Sequence, residues 1–298
     1  MNHIISIHDL ERSEIDSILD EAAIIQALQY NDTALKGKIL ALLFFEPSTR
    51  TRMSFDAAMA RLGGTSIGID SVEASSMAKG ETLADTVRVV SGYADAIVLR
   101  HPKEGAARLA SEFSTVPVIN AGDGAGQHPS QTLLDLYTIR QSMPLDDIQV
   151  GLLGDLRYGR TAHSLAHALS LYGVTIHTIS PKGLELPSAI LEELTRAGTQ
   201  VVEHDDVSGI ISSLDVLYVT RIQRERFPDS ASYFQVASSY RITPELLSGV
   251  KQRLIVLHPL PRLDEIDPRV DLLPHARYFE QSRNGIPVRM AMLQKVMI

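Results

Sequence analysis

The sequence predicts an α/β protein made of two doubly wound domains, each with a parallel sheet flanked by helices. Short apolar runs alternate with segments of helical periodicity along most of the chain, as in parallel strands joined by crossover helices. A length of 298 residues is sufficient for two domains with separate cores. No internal repeat or low-complexity linker interrupts this alternation.

The first series of elements predicts an N-terminal domain at residues 1–130. Ser13 opens a capping-box pattern, and the helix behind it has one apolar face. Strands are predicted at residues 39–45, 65–70, 96–99 and 116–120, with helices near residues 50–62, 82–92 and 103–113.

The second series predicts a C-terminal domain at residues 145–283. Its strands are expected at residues 150–154, 174–179, 199–202, 216–220 and 254–258, and its clearest helix covers residues 161–172. The boundary falls in or beside a helix that starts at Pro129 and ends before Pro144, since proline cannot continue a helix. Residues 284–298 have helical spacing and an apolar end, so we expect this C-terminal helix to pack back on the N-terminal domain.

Composition excludes several classes of function. The chain has no cysteine, which rules out disulfides, thiolate metal sites and a cysteine nucleophile. Its net charge of −8 argues against a nucleic-acid partner. The longest apolar run, residues 39–45, is far below the roughly 18 residues of a membrane helix, and we see no signal-peptide pattern. We therefore expect a cytoplasmic protein without a membrane partner.

Polar residues with anion-binding chemistry follow the predicted strands of the first domain. Ser48, Thr49, Arg50 and Thr51 lead from a strand into a helix, where free N–H groups, hydroxyls and a guanidinium form a phosphate cradle. Helix capping by the hydroxyls, with solvated arginines, explains the same residues, and chemistry alone leaves both interpretations open. Arg100 places another cation at a strand end.

A glycine-containing segment, residues 121–126, precedes His128 at the start of the helix that begins with Pro129. Glycines let the backbone pass close to a ligand. A histidine at a helix N-terminus tends to stay neutral, and can then donate a hydrogen bond to a carbonyl oxygen. A capping role is the structural alternative for His128.

The second domain repeats the pattern of cations at strand ends. Residues 151–160 do not match the dinucleotide pattern G-x-G-x-x-G, but they end in Arg160. Arg221 follows a later strand, and residues 258–261 form a proline-fixed loop whose carbonyls can accept hydrogen bonds from an amine. His163 and His167 have metal-pair spacing, but without a third ligand packing is the favoured interpretation. One anion site in each domain suits two anionic substrates.

Three segments together resemble the signature of the carbamoyltransferase family: residues 48–52, 128–131 and 258–261. The resemblance covers essentially the whole chain, with its motifs in the family's order. Residues 75–82, 122–129 and 220–223, with Leu260 between prolines, favour the aspartate branch. The ornithine branch typically has His-Cys-Leu-Pro where this chain has His-Pro-Leu-Pro.

The resemblance implies an enzyme that transfers the carbamoyl group of carbamoyl phosphate to L-aspartate, without cofactor or metal. It implies the catalytic residues Arg50, Thr51, Arg100 and His128. For carbamoyl phosphate it implies a binding set of Ser48, Thr49, Arg50, Thr51, Arg100, His128 and Gln131, completed by Ser75 and Lys79 from a neighbouring subunit. For aspartate it implies Arg160, Arg221 and Gln223, with Lys79 and the backbone at Leu260 and Pro261.

The resemblance also implies a homotrimer with shared active sites, and pairing of Glu46 with Arg160 and Arg226 on domain closure. A separate regulatory chain stays open. Two alternatives remain: a transferase acting on another amine such as ornithine, and a non-catalytic paralogue. The first is disfavoured by Arg221, Gln223 and the absence of cysteine, and the second because none of the matched ligand positions is lost.

Overall fold

The computed structural model describes residues 3–29, 33–69, 76–222 and 240–298. The chain forms two compact units: residues 1–137 with 284–298, and residues 138–283. Both are α/β units with an all-parallel sheet. Among the described residues, none of the helices is long and apolar enough to cross a membrane.

The first unit contains a four-stranded sheet in the order β2-β1-β3-β4. Its elements are α1 (Arg12–Ala27), β1 (Ile39–Phe44), α2 (Thr49–Arg61), β2 (Thr65–Ile69), α3 (Leu83–Val90), β3 (Ala96–His101), α4 (Ala106–Phe113) and β4 (Val118–Asp123). Strands β1, β3 and β4 are buried throughout or nearly so, as expected of a sheet covered on both faces. The predicted strand–helix alternation is confirmed here.

The second unit contains a five-stranded sheet in the order β7-β6-β5-β8-β9. Its elements are β5 (Gln149–Leu153), α6 (Arg160–Ser170), β6 (Thr175–Ile179), α7 (Ser188–Arg196), β7 (Gln200–His204), β8 (Val216–Val219) and β9 (Ile255–Leu257). Two further helices have residues in both units: α5 (Pro129–Ser142) and α8 (Tyr278–Met297). The predicted start and end of α5 are confirmed.

The C-terminal part of α8 belongs to the first unit. Lys295 Nζ lies 4.0 Å from Glu14 Oε1 of α1, and the Arg289 guanidinium lies over the Phe55 ring of α2. The prediction that this helix packs back on the N-terminal domain is confirmed. The helix begins at Tyr278, earlier than the apolar spacing from residue 284 indicates.

Two boundaries differ from the sequence prediction. Helix α1 begins at Arg12 and its capping box joins Glu11 with Glu14, so the predicted start at Ser13 is wrong. Strand β3 includes Arg100 and His101, which we expected beyond its end. A backbone ladder does not require apolar side chains, and Arg100 pairs in register with Phe44 of β1. The apolar face predicted for α1 is confirmed by the burial of Ile15, Ile18, Leu19, Ala22 and Ile25.

An aspartate lies at the amino end of each sheet: Asp95, which is partly exposed, and Asp215, which is buried. Asp95 accepts hydrogen bonds from Ile39 N and Lys38 Nζ, at 2.8 and 3.0 Å. Asp215 accepts from Gln149 N at 2.9 Å and from two cations of the second unit, Lys251 and Arg253. Burial alone raises the pKa of Asp215, but these hydrogen bonds outweigh it and hold the pKa below its usual value. Both aspartates thus lie at the amino ends of the strands, opposite the carboxyl ends where open α/β sheets bind ligands.

Candidate active site

Each sheet has a topological switch point beside a central strand. Strand β1 lies between β2 and β3, and β5 lies between β6 and β8, so the strands that follow each central strand in the chain lie on both sides of it. Ligands of open α/β sheets bind at the carboxyl ends of strands at such points. The predicted cations occupy these places: Arg50 and Arg100 in the first unit, and Arg160 and Arg221 in the second.

The N-terminus of α2 has the electrostatics of an anion site. Ser48 is the N-cap residue, but among the described residues its side chain receives no capping hydrogen bond. The first turn, which the structure describes completely, contains Arg50 and Arg52 and no acidic residue. A cation at the positive end of a helix costs about 0.3–1 kcal/mol unless an anion offsets it. This favours the phosphate cradle over simple capping for Ser48, Thr49, Arg50 and Thr51.

Arg100 lies at the carboxyl end of β3, next to the segment that follows β1. Its side chain is only 10% exposed, and Nη1 donates to the Ala121 carbonyl at 3.0 Å. Nη2 donates to Glu46 Oε1 at 2.9 Å. The prediction paired Glu46 with Arg160 and Arg226 instead. Arg226 lies outside the described residues, and the pairing of Glu46 with Arg160 stays a prediction.

His128 and Gln131 lie at the start of α5. The His128 side chain is buried, and its Nδ1 lies 3.4 Å from Ser130 Oγ. The His128 carbonyl accepts from Gln131 N at 2.9 Å, which places Gln131 in the first turn of the helix. Gln131 Nε2 donates to Asp135 Oδ1 at 2.8 Å. Asp135 is fully buried and was not singled out from the sequence, although its i+4 spacing from Gln131 is visible there.

The glycines before His128 have a structural reason that the sequence interpretation missed. A Cβ at Gly124 would lie 2.6 Å from the Pro102 carbonyl oxygen, and the residue has a φ of +54°. A Cβ at Gly126 would lie 2.9 Å from Asp123 Oδ1. Residues 121–123 belong to β4 rather than to the following loop. Close approach of protein backbone thus accounts for these two glycines without a ligand.

The segment predicted to reach a neighbouring subunit is described only in part. Ser75 lies outside the described residues. Lys79 ends a short 3₁₀ helix, Ser76–Lys79, and is exposed. Gly80 follows with a φ of +95°, and Thr82 then caps α3 by accepting from Asp85 N. Lys79 is therefore accessible, and its role stays a prediction.

The second unit repeats the arrangement at the N-terminus of α6. Arg160 is the first residue of this helix, which is fully described and has no acidic residue in its first turn. The turn from β5 to α6 passes against the end of β8: a Cβ at Gly154 would lie 2.3 Å from the Thr220 carbonyl oxygen. Arg221 follows Thr220 and is half-buried. Gln223 lies outside the described residues.

The loop after β9 is organised by His258. This buried ring accepts from Leu260 N through Nδ1 at 2.8 Å, so Nε2 carries the proton and donates to Glu265 Oε1 at 2.7 Å. Burial raises the pKa of Glu265, but the hydrogen bonds from His258 and from backbone N–H groups lower it by more. The net pKa lies below its usual value, so the carboxylate is ionised at neutral pH. Leu260 has a φ of +49° and precedes Pro261. The sequence predicted this loop but not the His258–Glu265 pair that fixes it.

The histidine pair on α6 has other partners. His163 Nε2 donates to the Leu156 carbonyl at 2.6 Å, and His167 Nδ1 donates to Glu193 Oε1 at 2.6 Å. Burial lowers the pKa of His163 below its usual value. These contacts agree with the packing interpretation of the pair.

Comparison with protein families finds matches along nearly the whole chain. Residues 2–141 match the family model described as "Aspartate/ornithine carbamoyltransferase, carbamoyl-P binding domain". Residues 146–296 match the model described as "Aspartate/ornithine carbamoyltransferase, Asp/Orn binding domain".

Similar proteins and solved structures agree with these matches. The chain is 73% identical over 296 residues to the aspartate carbamoyltransferase catalytic subunit of Methanosphaerula palustris, covering 99% of each chain. The crystal structure of the catalytic subunit of M. jannaschii aspartate transcarbamoylase is similar, with a TM-score of 0.95, 55% identity and coverage of 100% and 98%. Trypanosoma cruzi aspartate transcarbamoylase in complex with N-(phosphonacetyl)-L-aspartic acid gives a TM-score of 0.94, 38% identity and coverage of 100% and 96%.

Proposed function

The chain belongs to the aspartate/ornithine carbamoyltransferase family, and from this premise we infer that it transfers the carbamoyl group of carbamoyl phosphate to the α-amine of L-aspartate. The products are N-carbamoyl-L-aspartate and phosphate. The observation that carries this proposal is the pair of arginine-headed helix N-termini, α2 and α6, at the switch points of the two sheets. Each suits one anionic substrate.

Aspartate is favoured over ornithine by charge. Arg160 and Arg221 place two cations at the carboxyl ends of β5 and β8. Two carboxylates of aspartate find partners there, whereas the side-chain ammonium of ornithine meets like charge. The relatives compared above carry aspartate in their names.

The reaction proceeds by attack of the neutral amine nitrogen on the carbamoyl carbon. A C–N bond forms, negative charge develops on the carbonyl oxygen, and the C–O bond to phosphate then breaks. The amine's proton passes to the departing phosphate. Thr51, Arg100 and His128 donate hydrogen bonds to the developing oxyanion in this proposal, and one such donor is worth about 3 kcal/mol. Orientation of the two substrates supplies much of the remaining acceleration.

The proposal for carbamoyl phosphate places its phosphate at the α2 N-terminus. Arg50 and the hydroxyls of Ser48, Thr49 and Thr51 hold the phosphate oxygens, and Gln131 holds the carbamoyl amide. In this proposal Arg100 contacts both the phosphate and the carbamoyl oxygen of the substrate. Its guanidinium is held in place by hydrogen bonds to the Ala121 carbonyl and to Glu46. The aspartate set comprises Arg160, Arg221, Gln223 and the backbone at Leu260 and Pro261, with Lys79 from a neighbouring subunit.

A binding experiment tests the proposed site without relying on turnover. N-(Phosphonacetyl)-L-aspartic acid joins a phosphonate to an aspartate and can engage both predicted anion sites. We expect calorimetric binding to the wild-type chain and strongly weakened binding to Arg50→Ala and Arg221→Ala. Arg88→Ala, an exposed arginine on α3, serves as the control with unchanged affinity. Wild-type protein that does not bind this compound would contradict the proposal.

We further propose a cytoplasmic homotrimer in which Ser75 and Lys79 complete the neighbouring subunit's site. Mixing Arg50→Ala with Lys79→Ala chains then restores activity, because some sites receive an intact residue from each chain. Sedimentation and subunit exchange are followed in the same samples. Mixtures that exchange subunits but stay inactive would refute shared sites. A separate regulatory chain is compatible with this arrangement.

A further inference from the structure

A buried carboxylate lies behind the predicted carbamoyl-binding residue. Asp135 is fully buried on α5, one turn after Gln131, and accepts a hydrogen bond from Gln131 Nε2 at 2.8 Å. The proposed mechanism gives Asp135 no direct part in the reaction. A buried carboxylate in this place requires compensation of its charge.

The charge of Asp135 interacts with a buried cation, Arg289 on α8. Arg289 is buried, and Asp135 is the acidic residue whose charge acts on it most directly. Its guanidinium lies 5.1 Å from the centre of the Phe55 ring, on the helix that starts with the predicted phosphate cradle. A Cβ at Gly285 would lie 2.0 Å from Arg289 Nη1, so the missing side chain provides the space for this cation. Burial lowers the pKa of Arg289 to about 10, which leaves it charged at neutral pH.

The chemistry of the carboxylate determines which end of the Gln131 amide faces it. An ionised carboxylate accepts hydrogen bonds and cannot donate them, so it selects the amide –NH₂ of Gln131. The carbonyl oxygen of Gln131 is then left as the group that is available to a ligand. A carbamoyl group offers N–H donors to such an oxygen, whereas an acetyl group offers none.

We propose that Asp135 is a positioning residue that fixes the Gln131 amide so that its oxygen selects the –NH₂ of the carbamoyl group. The inference rests on the proposed function, since it concerns recognition of carbamoyl phosphate. It explains how the site selects carbamoyl phosphate over acyl phosphates: the Gln131 oxygen accepts a hydrogen bond from the carbamoyl –NH₂, and an acyl group has no such donor.

The test compares two ligands that differ only in the group concerned. Phosphonoacetamide carries an –NH₂ where phosphonoacetone carries a methyl group, and both are bound by calorimetry to the full chain. Wild-type protein binds the amide more tightly than the ketone. In Asp135→Asn either orientation of the Gln131 amide finds a partner, so the competent orientation is only about half populated; the affinity for the amide falls about twofold, and that for the ketone stays nearly constant. The exposed Asp85→Asn on α3 is the matched control, with both affinities unchanged.

Two further variants guard against misinterpretation. Asp135→Glu keeps the charge beside Arg289 but moves the carboxylate, and it lowers the amide preference even if Asp135→Asn does not fold. In Gln131→Met the preference is already lost, so adding Asp135→Asn changes it no further. Equal weakening of both ligands in folded variants, or an unchanged preference, would overturn the positioning role. Wild-type protein that binds neither ligand would instead overturn the proposed function.

Discussion

Replacement of Arg100 by methionine separates a catalytic role from a structural one. Methionine fills much of the volume of the side chain, so a large cavity is avoided, but both hydrogen bonds of the guanidinium are lost. The Ala121 carbonyl and Glu46 lose these donors. Because the Glu46 side chain is 30% exposed, water can replace part of the interaction, and we expect the free energy of unfolding to fall by about 1–2 kcal/mol.

The expected effect on turnover is much larger than this loss of stability. Removal of one preorganised donor to a developing oxyanion lowers kcat by about 100- to 1000-fold. A domain with a stability of about 5–15 kcal/mol remains folded after a loss of 1–2 kcal/mol, so the loss of turnover cannot be assigned to unfolding. Arg100→Lys keeps the cation but cannot reproduce the two-armed contact, and it gives an intermediate rate.

The assay measures kcat for carbamoyl transfer to aspartate together with urea unfolding of the same samples. Arg88→Met on α3 is the control, because its ion pair with Asp85 is more than half exposed and contributes about 0–1 kcal/mol. Its kcat stays at the wild-type value. A folded Arg100→Met protein that retains more than about a tenth of wild-type kcat would refute the role of Arg100 as an oxyanion donor.

Two further substitutions test the second unit. Glu265→Gln removes the charge that orients His258 and, through His258, the backbone of Leu260. We expect kcat/KM for aspartate to fall about tenfold, while KM for carbamoyl phosphate stays constant. The exposed Glu245→Gln is its control, and equal kinetics of the two variants would contradict the positioning. Asp215→Asn lowers the free energy of unfolding by about 1–3 kcal/mol. The pKa of folded Asp215 lies below 3.8, so the difference in unfolding free energy between wild type and variant is complete above pH 3.8 and shrinks as the pH falls through the folded pKa. A difference that grows on acidification would contradict this prediction.

The elements that the sequence predicts best are those with a local signal. The apolar face of α1, the proline-headed α5 and the buried strands all follow from periodicity or turn chemistry within a few residues. The sequence predicts too early an end for β3 because polar residues usually mark the limit of a buried strand, whereas Arg100 is held in the ladder by backbone pairing with its neighbours.

The candidate site likewise contains residues that can be predicted from the sequence and residues that cannot. The arginines at the starts of α2 and α6 are visible from the sequence, because a cation in the first turn of a helix is an unusual arrangement. The supporting pairs are not visible. The charges of Asp135 and Arg289 interact only because the C-terminal part of α8 belongs to the first unit, and the contact between Asp215 and Lys251 depends on how the strands associate. Partners distant in sequence leave no periodic signal.

A carbamoyl-transfer assay with L-aspartate and L-ornithine side by side tests the proposed reaction most directly. The purified chain receives carbamoyl phosphate with one amine at a time, and carbamoylated product and released phosphate are both quantified. We predict one phosphate for each N-carbamoyl-L-aspartate formed, and a kcat/KM for ornithine lower by at least about a hundredfold. Faster transfer to ornithine, or no product from aspartate in a folded protein that binds N-(phosphonacetyl)-L-aspartic acid, would contradict the assignment.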